Sequence, residues 1–433
     1  MANIEQLYQH YLKHPVICTD TRSITQGCLF FALKGDKFDA NEFAAKAIDA
    51  GASFAIIDNP KFKQGEQFIL VDDVLSTLQE LARHHRQQLH IPVIGLTGSN
   101  GKTTTKELIR AVLAENFEVF ATKGNLNNHI GVPLSILSIT SAVEIAVIEM
   151  GANHQKEIAF LCGISQPTHG LISNVGMAHL EGFGGFEGVK KGKAELYGYL
   201  SQSNGYAFVN AANHDLMEMI TKAAVKNVVP YNTEETGAVK GLLKHSDPLI
   251  EFDWSYNGQT YQAKANLTGT YNFENILAAI AIGCFFKLNP AQINTGLANY
   301  FPTNNRSQLT KTDKNTVICD FYNANPSSMA AAIVNLNSLT SNHKVAILGD
   351  MFELGDESAK QHQHIVELAA KNNIETLIFV GQHFYTVEEK FSANFFATPA
   401  EAADFIKTQQ WENSLILLKG SRGMALEQLL PLL

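Results

Sequence analysis

One run constrains this chain more than any other: Val93-Ile94-Gly95-Leu96-Thr97-Gly98-Ser99-Asn100-Gly101-Lys102-Thr103-Thr104-Thr105. It reads as a short apolar strand, a loop carrying two glycines, and a helix continuing through Leu108, Ile109, Val112 and Leu113. Gly98 and Gly101 let backbone N–H groups turn inward around an anion without obstruction from a Cβ. The helix that follows offers its unpaired N-terminal N–H groups to the same anion. Lys102 adds a positive charge, and the Thr103 hydroxyl is placed to ligate Mg²⁺. Leu96 stands where the first glycine of the usual pattern G-x-x-x-x-G-K-[ST] falls, so only the second half of that pattern is met. An ordinary glycine-rich turn is the alternative, but strand, Gly-Lys-Thr and helix in register favour a nucleotide-phosphate site.

A chain of 433 residues has room for two to four domains, each with its own core. With 45% hydrophobic and 17% charged residues, the composition is that of a soluble globular protein. A formal charge of -9 argues against a protein that coats nucleic acid, which needs a basic face. Cys18, Cys28, Cys162, Cys284 and Cys319 are scattered and never form a C-x-x-C pair, which fits reduced thiols in a cytoplasm. The N-terminus does not read as a signal peptide, because Ile4, Leu7, Tyr8, Tyr11 and Leu12 fall at helical spacing among polar residues. No apolar run approaches the ~18 residues that suggest a membrane span. The expectation is a cytoplasmic protein with no nucleic-acid partner and no membrane span.

Three α/β units follow one another. Residues 1–88 carry short strands and helices without a phosphate loop, including a helix expected over Ala40 to Ala50, and look like a binding module. In this unit Arg22, two residues after Asp20, either clamps a phosphate or simply pairs on the surface; spacing leaves the two readings even. Residues 89–302 begin with the phosphate loop, and the next strands are apolar on both faces, as a covered parallel sheet requires. Strand Val143 to Met150 delivers Glu149 near its carboxyl end, and strand Gly170 to Val175 is followed closely by His179. Open α/β sheets bind ligands beyond the carboxyl ends of their strands, so Glu149 and His179 should arrive beside Lys102 and Thr103. Val189 to Leu196 reads, on spacing alone, as a helix with solvated lysines entered through a flexible loop. Asn257-Gly258 marks a hairpin, and Asn275 lies near the start of an Ala-rich helix, where an asparagine is ordinarily a cap. Over residues 303–433 strands and helices alternate again, implying a second doubly wound sheet with Asp320, Asp350 and Lys419 at strand ends.

The phosphate loop Thr97–Thr104 resembles the T-G-[TS]-x-G-K-[TS]-[TS] loop of the Mur ligases, ATP-dependent amide-forming enzymes of peptidoglycan precursor synthesis. Further segments carry the same resemblance. They are Glu149-Met150-Gly151-Ala152-Asn153, Asn174 to Gly184, Asp320-Phe321-Tyr322-Asn323-Ala324-Asn325-Pro326, Leu348 to Gly355, Lys419 to Met424, and Asp20-Thr21-Arg22 with Phe31 to Gly35. The resemblance implies an α/β fold of three domains: a small N-terminal domain holding a UDP-sugar, a central ATPase domain with a mostly parallel sheet, and a mobile Rossmann-like C-terminal domain. It implies ATP and Mg²⁺ as cofactors, and UDP-N-acetylmuramoyl-tripeptide and D-alanyl-D-alanine as substrates of a monomer. Carried over residue by residue, it puts Thr21 and Arg22 at the uridine nucleotide and Gly98, Ser99, Asn100, Gly101, Lys102, Thr103 and Thr104 around the phosphates. Glu149, His179 and Lys193 fall with Thr103 on metal-ligand positions, Lys193 as a carbamate. Asn127 and Asn128 fall near the substrate carboxylate, and Asn275, Arg306 and Asp320 face adenine, phosphate and ribose. Asn323 and Asn325 lie near the incoming dipeptide. Tyr271 departs from the histidine of the family's G-x-H-N, and Gly192 and Ala194 flank Lys193 in an unusual order. Other readings stay open: a ligase of the same family adding single amino acids or glutamate, and a non-catalytic protein gated by ATP.

Overall fold

The computed structural model describes residues 3–232, 237–388 and 391–433. Its first sheet has four parallel strands in the spatial order Ile17–Cys18, Leu29–Phe31, Phe54–Ile57, Phe68–Leu70. The helix expected over residues 40–50 opens instead with a 3-10 turn, Ala40–Phe43, and is α-helical only over Ala44–Asp49. The cause is local. Asp39 accepts the Asn41 N–H at 3.0 Å while the Asn41 amide donates to Asp58 at 2.9 Å, which holds the first turn tight.

Helix Val74–Gln88 then leads to strand Val93–Thr97, which lies inside a six-stranded, all-parallel sheet. Strands Ile145–Glu149 and His169–Ile172 flank it, and strands 119–121, 206–210 and 227–231 complete the sheet outward. All five residues of strand Val93–Thr97, and all five of strand Ile145–Glu149, are buried, as expected of a sheet covered on both faces. On one face a continuous apolar core runs from Leu7, Leu29 and Leu78 into Val93, Ile148 and Leu196, so the first unit is welded to the second. The opposite face packs Leu108, Val112 and Leu277 together with a three-stranded meander. Within that meander, strands Ile250–Tyr256 and Gln259–Ala265 meet through Asn257 and Gly258, both at positive φ, as a two-residue hairpin turn requires.

The third unit is a six-stranded sheet in the order 308–311, 316–320, 415–419, 344–349, 376–380, 394–396. Only its edge strand Gln308–Lys311 runs antiparallel. Separate apolar cores cover its two faces, one around Ile333 and Leu348, the other around Ile347 and Leu418, so the sheet is doubly wound. Among the described residues no helix is long and apolar enough to cross a membrane.

Candidate active site

Strand Val93–Thr97 was laid down first in its sheet, yet its neighbours are the third and fourth strands in chain order. That reversal opens a crevice at the carboxyl ends of the strands, and the phosphate loop occupies it. Gly101, at φ +75, caps helix Lys102–Leu113, and a Cβ there would stand 2.7 Å from Oδ1 of Asn275. Gly98, at φ +147, faces the Ser173 hydroxyl with no room for a side chain. Both glycines are therefore required by conformation and by space. The Lys102 ammonium bends back over the loop, donating to the carbonyls of Gly98 at 2.7 Å and Ser99 at 3.1 Å. Ser99 receives the N–H of Gly176 at 2.9 Å, and Asn100 donates its N–H to Oδ1 of Asn174 at 2.9 Å, so the exit loop of the neighbouring strand His169–Ile172 braces the phosphate loop.

Register puts Glu149 opposite Leu96, just beneath the loop. Its buried carboxylate accepts from the Thr103 hydroxyl at 3.0 Å and from the Asn127 amide at 2.9 Å. Lys106, one helical turn beyond Lys102, is also buried; its ammonium stands 4.0 Å from Glu149 and donates to the Thr122 carbonyl at 2.5 Å. Sequence reasoning passed over Lys106. The available signal was a lysine four residues after Lys102, on the helix face that also carries the apolar Ile109 and Leu113. A hydroxyl and a carboxylate converging beside a phosphate cradle are the hard oxygen donors that suit Mg²⁺.

Lys193 is not solvated. It lies in helix Phe186–Ser203 with 2% of its surface exposed, its ammonium donating to the Ala152 carbonyl at 3.2 Å and standing 5.0 Å from the centre of the Phe183 ring. Burial, with the charge of Lys102 adding to it, lowers its pKa to about 7. Lys190 departs from the solvated reading as well, bridging Asp215 at 2.8 Å and Glu218 at 3.1 Å. Burial likewise lowers Lys102 to about 8, against the pull of Glu149. The loop entering this helix contains a helical turn, Leu180–Phe183, with His179 at its start in the left-handed region at φ +53. His179 Nδ1 pairs with the carboxylate of Glu353 from the third unit, which holds Glu353 below its usual pKa.

One cleft of 880 Å³ opens between the second and third units. Ser99, Asn100, Gly101, Lys102, Thr104, Asn127, Asn128, Glu149, His179 and Asn275 stand on its central wall, and Arg306, Asp320, Asn323 and Asn325 on the other. Asn275 is no cap: it sits inside helix Asn272–Phe285, accepting from the Thr105 hydroxyl at 3.0 Å and donating to Asn272 at 3.0 Å. Asn128 accepts the N–H of Gly131 at 2.8 Å and so shapes the turn into helix Gly131–Ile136. Asp320 accepts from Lys419 at 2.6 Å and from the Ser307 N–H at 3.1 Å. The Arg306 guanidinium lies 4.0 Å from the Tyr322 ring centre. Asn323 accepts the N–H of Ala324, and Asn325 caps helix Pro326–Ser338. Thr103 and Lys193 sit just behind the lining, tied to Glu149 and Ala152. Thr21 and Arg22 are not brought to this cleft; they form a 3-10 turn on the first unit, with Arg22 exposed and paired to Asp20 at 2.6 Å.

A phosphate loop on a parallel sheet, faced across a cleft by a second doubly wound domain, defines a nucleotide-using α/β protein of more than one domain. Three family models match in order: "Mur ligase family, catalytic domain" over residues 15–89, "Mur ligase middle domain" over 96–283 and "Mur ligase, glutamate ligase domain" over 305–422. The chain belongs to the Mur ligase family. It is 34% identical to the UDP-N-acetylmuramoyl-tripeptide–D-alanyl-D-alanine ligase of Bacillus subtilis (strain 168), over 98% of this chain and 93% of that one. Its identity to the ligase of the same name from Escherichia coli (strain K12) is 35%, over 95% and 92%. Among solved structures, MurF from Acinetobacter baumannii superposes with a TM-score of 0.87 at 32% identity, covering 96% of this chain and 92% of that one. MurF ligase from Thermotoga maritima in complex with ADP superposes at 0.85 and 26% identity, covering 100% and 98%.

Proposed function

We propose that this chain is an ATP-dependent, ADP-forming ligase that joins D-alanyl-D-alanine to UDP-N-acetylmuramoyl-tripeptide, a cytoplasmic step of peptidoglycan precursor synthesis. The observation that carries this reading is the single cleft in which Lys102 and Glu149 face Asp320, Asn323 and Asn325 of another domain. The names of its relatives supply the substrates. In this reading residues 1–88 hold the UDP-sugar through Thr21 and Arg22, residues 89–302 hold ATP, and residues 303–433 bring the dipeptide.

The tripeptide carboxylate attacks the γ-phosphorus of ATP, releasing ADP and leaving an acyl phosphate. The dipeptide amine then attacks the acyl carbon, inorganic phosphate departs, and the amine loses a proton. Both reactants of the first step are anions, so their approach costs Coulomb energy that Lys102 offsets in a water-poor cleft. Mg²⁺, held by Thr103, Glu149, His179 and a carbamylated Lys193, supplies further neutralisation of phosphate charge when bound. The loop glycines and the helix N-terminus aim N–H groups at the phosphates, while Asn127 and Asn128 orient the carboxylate. Asn275, Arg306 and Asp320 position the nucleoside and phosphates. Asn323 and Asn325 orient the incoming amine, where alignment is worth large effective molarities.

Lys193 suits carbamylation on chemical grounds. Only a neutral amine adds to CO₂, forming an N–C bond with loss of a proton, and a lysine titrating near about 7 is substantially neutral at physiological pH. The product is an anion, which turns repulsion from Lys102 into attraction. The test of the whole reading is mass analysis of the product formed from ATP, the muramyl tripeptide nucleotide and D-alanyl-D-alanine. Release of ADP with single amino acids, and none with the dipeptide, would move the chain to another branch of the family.

A further inference from the structure

The side chain of Asn100 bonds across the cleft to the third unit. Its Oδ1 accepts from Nδ2 of Asn325 at 2.8 Å, and its Nδ2 donates to the Ser327 hydroxyl at 2.9 Å. Ser327 in turn donates to Oδ1 of Asn325 at 2.9 Å, closing a ring of three hydrogen bonds between the phosphate loop and the start of helix Pro326–Ser338. The backbone of Asn100 is pinned from the opposite side. Its N–H goes to Asn174, and its carbonyl accepts from Ser173 at 2.6 Å and from the Asn174 amide at 3.1 Å. Every polar group of Asn100 is thus used between domains or between loops.

Space around the ring is equally restricted. Gly176, in the loop after strand His169–Ile172, approaches so closely that a Cβ there would meet the Ser327 hydroxyl at 2.9 Å and Nδ2 of Asn100 at 3.3 Å. Its φ is not in the left-handed region, so a side chain here would act by proximity, pushing the Ser327 hydroxyl and the Asn100 amide out of the ring. Three segments far apart in sequence therefore converge on one amide.

We infer that Asn100 is a positioning residue that clamps the C-terminal domain onto the phosphate loop, so that the loop holding the phosphates also registers helix Pro326–Ser338 and the acceptor groups beside it. This rests on the ligase reading above for what the acceptor is, while the clamp itself is a statement about the two domains. Asn100 carries two bonds of the ring that cross between the domains. Losing both lowers kcat/KM for the dipeptide by about 10- to 30-fold, at ordinary values for neutral hydrogen bonds. ADP affinity stays within about 3-fold, because the backbone donors of Gly101 to Thr104 remain.

The experiment compares full-length wild type, Asn100→Ala, Ser327→Ala and the double variant. Each is assayed for dipeptide turnover, for binding of ADP with Mg²⁺ by calorimetry, and for radius of gyration by X-ray scattering in the presence of ADP and Mg²⁺. Ser327→Ala leaves the phosphate loop and the Asn325 cap intact, and should cost turnover about 5-fold. The double variant should be no worse than Asn100→Ala alone, and both should be more expanded than wild type. The clamp is overturned if ADP affinity falls in step with turnover, if the two substitutions multiply, or if all four proteins keep one radius of gyration. Wild type that makes no product with the dipeptide defeats the ligase reading instead, and the ADP and scattering measurements still decide the clamp.

Discussion

The Thr103 hydroxyl lies 3.0 Å from Oε2 of Glu149, although Thr103 belongs to the first turn of helix Lys102–Leu113 and Glu149 ends a strand of the central sheet. The contact depends on parallel register: strand Ile145–Glu149 ends level with the strand that feeds the phosphate loop. Replacing the carboxylate by its amide keeps the shape and removes the charge. Glu149→Gln is therefore expected to lose at least ~100-fold in acceptor-dependent phosphate release, the scale of one preorganised electrostatic group. Phosphate release at the wild-type rate would take Glu149 out of the reaction.

Lys102 supplies the positive charge nearest the loop glycines, bonded to the carbonyls of Gly98 and Ser99. Lys102→Ala should reduce phosphate formation by at least ~100-fold, because no other side chain of the loop is cationic. Steady-state release of phosphate, measured with all substrates present, decides this. Undiminished turnover would remove Lys102 from the mechanism.

How much of this was readable beforehand depends on sequence distance. The strand, loop and helix around Gly98 and Gly101 are contiguous, and burial on both faces of strand Ile145–Glu149 shows as an unbroken apolar run ending in an acid. Glu149 beside Thr103 followed from the rule that parallel sheets present their carboxyl ends together. The partners of Asn100 and His179 could not be read in that way. Asn325, Ser327 and Glu353 belong to the other domain, and their contacts depend on how two rigid bodies sit. Spacing alone placed Lys193 in solvent for a related reason: charge suggests exposure, whereas helix Phe186–Ser203 turns that face against Phe183 and Ala152. Asn275 looked like a cap because it lies near a helix start, yet the helix begins at Asn272 and turns its side chain toward Thr105.

Lys193 should also make stability depend on pH. Its pKa in the folded chain is about 7 against the ordinary lysine value of 10.5. Between those values the unfolded chain binds a proton that the folded chain does not, so stability rises with pH across the window. Below about 7 both states are protonated and the cost of the buried ammonium is felt in full. In CO₂-free buffer without metal, Lys193→Met should therefore melt higher than wild type at pH 6, by at least ~2 °C, with the gap closing toward pH 10. A gap independent of pH would show that the lysine is not held neutral. The carbamate has its own test: Lys193→Ala should lose activity and recover part of it with added small carboxylates, and full activity without them rejects that role.

Lys106 makes a separate prediction about how Glu149 is tolerated in the core. Its ammonium is 1% exposed, pairs with Glu107 at 3.0 Å, stands 4.0 Å from Glu149 and donates to the Thr122 carbonyl. Removing one member of a buried ionic group leaves the others uncompensated, so Lys106→Met should destabilise the chain by about 3 kcal/mol in urea unfolding. Glu107 is reached by Arg110 at 2.9 Å and keeps a partner, whereas Glu149 loses its nearest cation. The loss should therefore depend on the charge at position 149. In a Glu149→Gln background, the cost of Lys106→Met should shrink by at least about 1 kcal/mol, as expected for contacting groups in one network. Equal costs in both backgrounds would mean that Lys106 serves Thr122 and the helix alone, and that Glu149 is held in place by Thr103 and Asn127.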